Sequence, residues 1–194
     1  MGKITLASDG ENLVGLWNGN HKYMYKDMEE RDNLAVFNDT KKWLDRYFEG
    51  KKPGIKELPL STAGSEFRQA VWKILCDIPY GEVVTYGDMA KQMARKLNKP
   101  KMSAQAVGGA VGHNPISIII PCHRVVGSNG SLTGYGGGIS VKVKLLEHED
   151  YPLTINFMFP QYYHNVIVIP IWKTQFQFVV FEFINKSIGG YIAF

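Results

Sequence analysis

Apolar residues along the chain fall into short groups whose spacing changes. Near the start, Ile4 and Leu6, then Leu13, Val14, Leu16 and Trp17, are broken by the turn dipeptides Asp9-Gly10 and Asn18-Gly19. Such groups predict strands within Lys3–Tyr25. Trp43, Leu44, Tyr47 and Phe48 recur at helical intervals, predicting a helix over Asn38–Phe48. Glu49–Gly54, with Pro53, reads as a loop. Residues 1–61 thus form a small α/β unit: a sheet with one helix.

From Ser65 the period is helical. Phe67, Val71, Trp72, Ile74 and Leu75 share one face, and Pro79-Tyr80-Gly81 stops that helix. Val83-Val84-Thr85 is a short extended piece. Tyr86–Lys96 is a second helix with Met89, Met93 and Leu97 inward. Asn98-Lys99-Pro100 turns the chain, and Met102–Val111 is a third. Helix, turn and helix within residues 86–111 fit a helix-turn-helix unit. An apolar run, Ile116–Ile120, predicts a buried strand, and Val141–Glu149 a last helix. The third helix is built almost wholly from small residues, among them Ala106, Gly108 and Gly109. Adjacent glycines cost a helix about 1 kcal/mol each against alanine. Two readings offset that cost: close packing on a neighbouring helix, or close approach to a nucleic-acid groove.

Charge bears on that choice. The net charge is +4. Residues 1–61 carry ten basic and ten acidic side chains, and 150–194 two of each; the excess lies in 62–149, with ten basic and six acidic. Lys91, Arg95, Lys96, Lys99 and Lys101 precede the small-residue helix, opposed only by Asp88. A solvated basic face explains the charge alone. Beside that helix it favours a phosphate-lined groove.

Two cysteines, Cys76 and Cys122, exclude a disulfide framework and a cysteine zinc site. With no leader-like opening and no apolar run of about 20 residues, the expectation is a soluble, cytoplasmic protein with reduced thiols. Cys76 reads as core. Cys122 stands in Pro121-Cys122-His123-Arg124-Val125, directly after the apolar run. Adjacent imidazole and guanidinium groups are expected to lower its pKa. A third polar member should orient His123, and Glu149 suits an imidazolium better than His148. A glycine-rich loop, Gly134–Gly138, supplies a flexible turn or backbone N–H groups for a planar ligand. The residues alone give a cysteine nucleophile beside a nucleic-acid-binding helix pair, without a substrate.

The Pro121–Val125 motif resembles the signature of the O6-alkylguanine-DNA alkyltransferases, or methylated-DNA–protein-cysteine methyltransferases. Ile78-Pro79-Tyr80-Gly81-Glu82-Val83, Ala106-Val107-Gly108-Gly109-Ala110 and Leu145-Leu146-Glu147-His148-Glu149 match in the same order. The resemblance is strong over 62–149 and loose over 1–61. It implies a ribonuclease-H-like N-terminal domain and a mainly helical, winged-helix-like alkyltransferase domain.

The resemblance also implies single-turnover transfer of a methyl or small alkyl group from O6 of guanine to Cys122, extending to O4 of thymine where the pocket admits it. His123 would be the water-bridged base and Glu149 the carboxylate behind it. Tyr86 would contact the flipped nucleotide and protonate guanine N3. Asn114 would brace the site and Tyr135 line the pocket, with the Gly136 N–H facing O6. The carbonyls of Cys122 and Val125 would read the guanine amino group. Gln105, Ala106, Gly108 and Gly109 would enter the minor groove, helped by Lys101 and Arg124. No metal or organic cofactor is implied; the partner is double-stranded DNA carrying O6-alkylguanine, and the protein acts as a monomer away from membranes.

Related non-enzymatic lesion binders lack the cysteine, so Cys122 argues against that alternative. A cysteine hydrolase would need an oxyanion hole that nothing here supplies. Gln105 departs from the arginine that many members use to fill the gap of the flipped base. Residues 150–194 depart further, with 12 of the 24 aromatics and no arginine. Val166–Ile169 and Phe176–Ile184 are β-prone. The segment reads as a docked extension, a partner-binding strand or, preferably, unrelated sequence joined after Glu149.

Overall fold

The structure, a computed structural model, describes residues 3–19, 28–31 and 33–152. The expected strand extension to Tyr25 and the tail from Leu153 onward lie outside the described residues. Among the described residues no helix is long and apolar enough to cross a membrane.

Strands β1 (Ile4–Ser8) and β2 (Leu13–Asn18) form an antiparallel hairpin. Its turn is set by Asp9, whose Oδ1 accepts from the backbone N–H groups of Asn12 and Glu11, and by Gly10 at φ 110°. Helix α1 (Ala35–Phe48) packs on the hairpin. It begins three residues earlier than expected, because Val36 continues the buried stripe Thr40, Trp43, Leu44, Tyr47. Gly50, at φ 77°, closes its C-terminus.

β2 also reaches across to the rest of the chain. Leu16 donates to Pro115 O and accepts from the Ser117 N–H. Leu13 makes the equivalent pair of bonds with Pro59 O and the Ser61 N–H. The hairpin is therefore stitched both to the linker and to the segment that leads into Cys122.

Helices α2 (Glu66–Cys76), α3 (Tyr86–Lys96) and α4 (Ala104–Gly112) form the helical unit. Ser65, Thr85 and Ser103 cap them, each side chain accepting a backbone N–H of the first turn. The Trp72 indole N–H donates to Ala110 O at 2.9 Å, locking α2 to α4. Met89 and Met93 are fully buried as expected, but Leu97 is 40% exposed, since α3 ends at Lys96 and the chain turns through Asn98 in the left-handed region. Strand β3 (Val84–Thr85) pairs in parallel with β4 (Val125–Val126), and α5 (Ile139–His148) closes the fold.

The expected strand over Ile116–Ile120 is not one. Only Ile116 bridges to the hairpin; the following residues coil, with Ile118 at φ 69°. Asn114 holds the coil closed: its Oδ1 accepts the Ile116 N–H, and its Nδ2 donates to Ile116 O at 3.3 Å and Ile120 O at 2.8 Å. A β-branched residue in the left-handed region is strained by about 1–3 kcal/mol. Burial of Ile116, Ile118, Ile119 and Ile120, all under 4% exposed, offsets that strain.

Candidate active site

The coil ends at Pro121, and Cys122–Arg124 form a single 3-10 turn. All three side chains are buried, Cys122 at 6% and His123 at 0% exposure. The parallel β3–β4 pair sets Tyr86, first residue of α3, beside this turn.

His123 Nε2 lies 2.8 Å from Glu149 Oε1. Burial opposes ionisation of Glu149, but donors from His123 and Arg124 outweigh it and hold its carboxyl well below the usual range. The carboxylate is therefore ionised and Nε2 is the donor, which leaves Nδ1 as an acceptor. Nδ1 is buried with no hydrogen-bond partner among the described residues. Burial also pushes the His123 pKa down, against the pull of Glu149, so the resting imidazole is neutral.

Arg124 overturns its expected place. It turns inward, donating from Nε to Glu149 Oε2, from Nη2 to Oε1 and from Nη1 to Ile78 O. At 7% exposure it is a buried strut for the carboxylate, not a surface contact for DNA. The expected low thiol pKa is overturned too: burial pushes Cys122 up. The groups that pull it back are Asn114, Lys142 and Ser117, rather than its sequence neighbours.

Lys142 is a residue that sequence reasoning missed. It is fully buried on α5, with Nζ donating to Val125 O at 2.6 Å and Thr133 O at 3.2 Å. Burial lowers its pKa to about 8, while Cys122 raises it. Its signal was present: positions 142, 145, 146 and 149 make one inward stripe, and a lysine there is out of place. The carbonyls expected to read guanine are already engaged, Val125 O by Lys142 and Cys122 O by the Val125 N–H. Each keeps one further lone pair.

The Tyr86 hydroxyl donates to Thr133 O at 3.2 Å and lies 3.4 Å from Gly134 O, which ties α3 to the glycine-rich loop. Burial and the neighbouring Cys122 push its pKa up to about 12, so it stays protonated. Tyr135 is half-buried, with its hydroxyl enclosed near Cys122 and Ser117, and desolvation pushes its pKa up. Gly136 is exposed in the same loop. Gln105, Ala106 and Gly109 form the open face of α4, with Lys101 just before it and Gly108 half-buried. A Cβ on Gly108 would meet the Tyr86 ring at 3.6 Å, an ordinary contact, and one on Gly109 would meet nothing within 4 Å. Internal packing therefore does not require either glycine. Tyr47 was missed as well; its hydroxyl donates to Glu149 Oε1 at 2.6 Å.

Two family models match. One, described as 6-O-methylguanine DNA methyltransferase, ribonuclease-like domain, covers residues 1–62; the other, the DNA binding domain of the same family, covers 66–151. A methylated-DNA–protein-cysteine methyltransferase of Haemophilus influenzae is 41% identical, covering 78% of this chain and 83% of the relative. One from Mycobacterium tuberculosis is 42% identical, over 77% and 87%. The crystal structure of Mycobacterium tuberculosis OGT in complex with DNA superposes with TM-score 0.65 at 41% identity, covering 75% of this chain and 85% of that one. An O6-methylguanine DNA methyltransferase from Methanococcus jannaschii superposes with TM-score 0.56 at 32% identity, over 77% and 89%.

Proposed function

The chain belongs to the 6-O-methylguanine DNA methyltransferase family, and from that premise we propose that it repairs O6-alkylguanine in duplex DNA by moving the alkyl group, once and irreversibly, onto Cys122. It is a DNA-binding repair protein with methylated-DNA–protein-cysteine methyltransferase activity. The observation that carries the residue assignment is the buried pair of His123 and Glu149, which leaves Nδ1 without a partner in the residue that follows Cys122, the only buried cysteine among the described residues.

The resting pair is thiol and neutral imidazole. When the flipped base enters, the Cys122 proton passes through one water to His123 Nδ1, and Sγ attacks the alkyl carbon in line. The S–C bond forms as the C–O6 bond breaks, and guanine leaves with the bonding pair. Tyr86 supplies a proton to guanine N3 and is restored from solvent, which also receives the proton held by His123. Lys142 favours the thiolate and the Glu149 carboxylate the imidazolium, so both charges of the activated pair are compensated. An imidazole–carboxylate pair does not hydrolyse a thioether, so each molecule acts once.

Gln105, Ala106, Gly108 and Gly109 carry α4 into the minor groove, with Lys101 at a phosphate. Flipping costs a few kcal/mol, least for a damaged base. The protein works as a monomer. Intact-protein mass after incubation with a duplex holding one O6-methylguanine tests the assignment. One methyl group per protein, absent in Cys122→Ala, is expected; no gain by the folded parent would leave a lesion binder instead.

A further inference from the structure

Tyr47 comes from the first domain, yet its side chain ends at the carboxylate that serves the reactive cysteine. It is 1% exposed. Its ring stacks on Trp43 at 5.6 Å and meets Tyr80 edge-on at 5.9 Å. Its backbone carbonyl accepts from His148 Nε2 at 2.7 Å, and the Tyr80 hydroxyl donates to His148 O at 2.9 Å. The phenol is therefore fixed in direction, and it points at a carboxylate oxygen that already accepts from two other side chains. Glu149 Oε1 receives Tyr47 at 2.6 Å, His123 at 2.8 Å and Arg124 at 2.9 Å. Oε2 receives Arg124 at 2.8 Å and the Gly81 N–H at 3.1 Å.

We propose that Tyr47 is a positioning residue for alkyl transfer: by sharing Glu149 Oε1 with His123 it fixes the carboxylate and moderates that oxygen's hold on the imidazole N–H. The inference rests on the roles given above to Cys122 and His123. Packing alone does not call for the hydroxyl, since phenylalanine fills the same space. Burial and Glu149 raise the Tyr47 pKa, so the phenol acts only as a donor. Each donor on one oxygen draws on the same electron density. Without the phenol, more of the charge on Oε1 faces His123 and its protonated form is favoured.

Glu149 is faced by Tyr47 from α1, by Tyr80 from the loop after α2, by His123 and Arg124 from the 3-10 turn, and by Asp150 beside it. His123 also feels Lys142 from α5. Burial raises both tyrosines, which keep their protons through acid and neutral pH. The acid limb of the transfer rate therefore reports His123.

The experiment measures single-turnover methyl transfer to Cys122 from an O6-methylguanine duplex between about pH 5 and pH 9, a span that brackets the histidine range. Tyr47→Phe is expected to move the acid limb to higher pH, by about half a unit or more, equal to about a threefold loss of rate on that limb. Incorporating 3-fluorotyrosine at Tyr47, a stronger donor of the same shape, is expected to move it to lower pH. Lost packing would not produce opposite shifts. The fluorinated protein also gives the answer should Tyr47→Phe fail to fold. Coincident limbs for the parent and the fluorinated protein would overturn the proposal. A parent that transfers no methyl group to Cys122 would overturn the functional reading itself, and this inference with it.

Discussion

Arg124 grips Glu149 through two hydrogen bonds, Nε to Oε2 at 2.8 Å and Nη2 to Oε1 at 2.9 Å, with the two side chains 8% and 0% exposed. Removing one partner leaves a buried charge uncompensated, at a cost of about 3–5 kcal/mol. Arg124→Ala should lower the urea midpoint of unfolding accordingly, and Arg124→Lys should recover only part of it, because an ammonium cannot reproduce the fork. A variant as stable as the parent would mean that the pair contributes nothing.

Acid stability follows from the same carboxylate. The folded pKa of Glu149 lies below its ordinary value of 4.5. Its contribution is then complete above pH 4.5 and is lost as pH falls toward the folded value, because the unfolded chain binds the proton first. Glu149→Gln should be less stable than the parent at neutral pH and should lose less on acidification. Parallel acid-unfolding curves for the two would remove Glu149 as the source.

Cys122 and Lys142 form a second coupled pair. Burial keeps Cys122 a thiol, and Lys142 is held near pH 8. Iodoacetamide labelling of Cys122, followed by peptide mass, should rise with pH up to and beyond pH 9. A plateau in the range of activated thiols, about pH 4–7, would contradict the assignment. Lys142 also has a stability signature. Its folded pKa of about 8 lies below the ordinary 10.5, so between those values the unfolded chain binds the extra proton and stability rises with pH. Lys142→Met should abolish that rise and slow methyl transfer by about tenfold or more, roughly one charge-assisted interaction.

How much of this was legible in the sequence depended on distance along the chain. Helix α3 reads directly from Met89 and Met93, and its Thr85 cap is local. The pairing of His123 with Glu149 was read from chemistry and from the resemblance. The Ile116–Ile120 coil was not, because apolar spacing carries no trace of the Asn114 amide that closes it. For Arg124 the expectation is a DNA contact, and only the buried carboxylate explains its inward turn. Tyr47 looked like core aromatic packing, which it also is. The contact that distinguishes it spans 102 residues of sequence.

Gln105 stands exposed in the first turn of α4, where a longer cationic side chain would meet only solvent or nucleic acid. Gln105→Arg should bind duplex DNA more tightly and steepen the salt dependence by about one counterion. The transfer rate at saturating DNA should stay the same, since the residue touches none of the reacting groups. Equal affinity and equal slope would place this face off the DNA.

Gly109 separates the two explanations for the small-residue helix. A glycine kept for packing on the protein itself would clash when enlarged, yet a Cβ at Gly109 meets nothing within 4 Å. Gly109→Ala should therefore stabilise the free protein, by up to about 1 kcal/mol from helix propensity. The same methyl group would project from the open face of α4 toward the groove. There it would hold the backbone off the DNA, so duplex affinity should fall while thermal stability climbs. A loss of stability would return the helix to the packing explanation. A gain in stability with unchanged DNA affinity would show that the groove does not come this close. Opposite movements of the two measurements are the outcome expected of a surface that sacrifices helix stability for close approach to DNA.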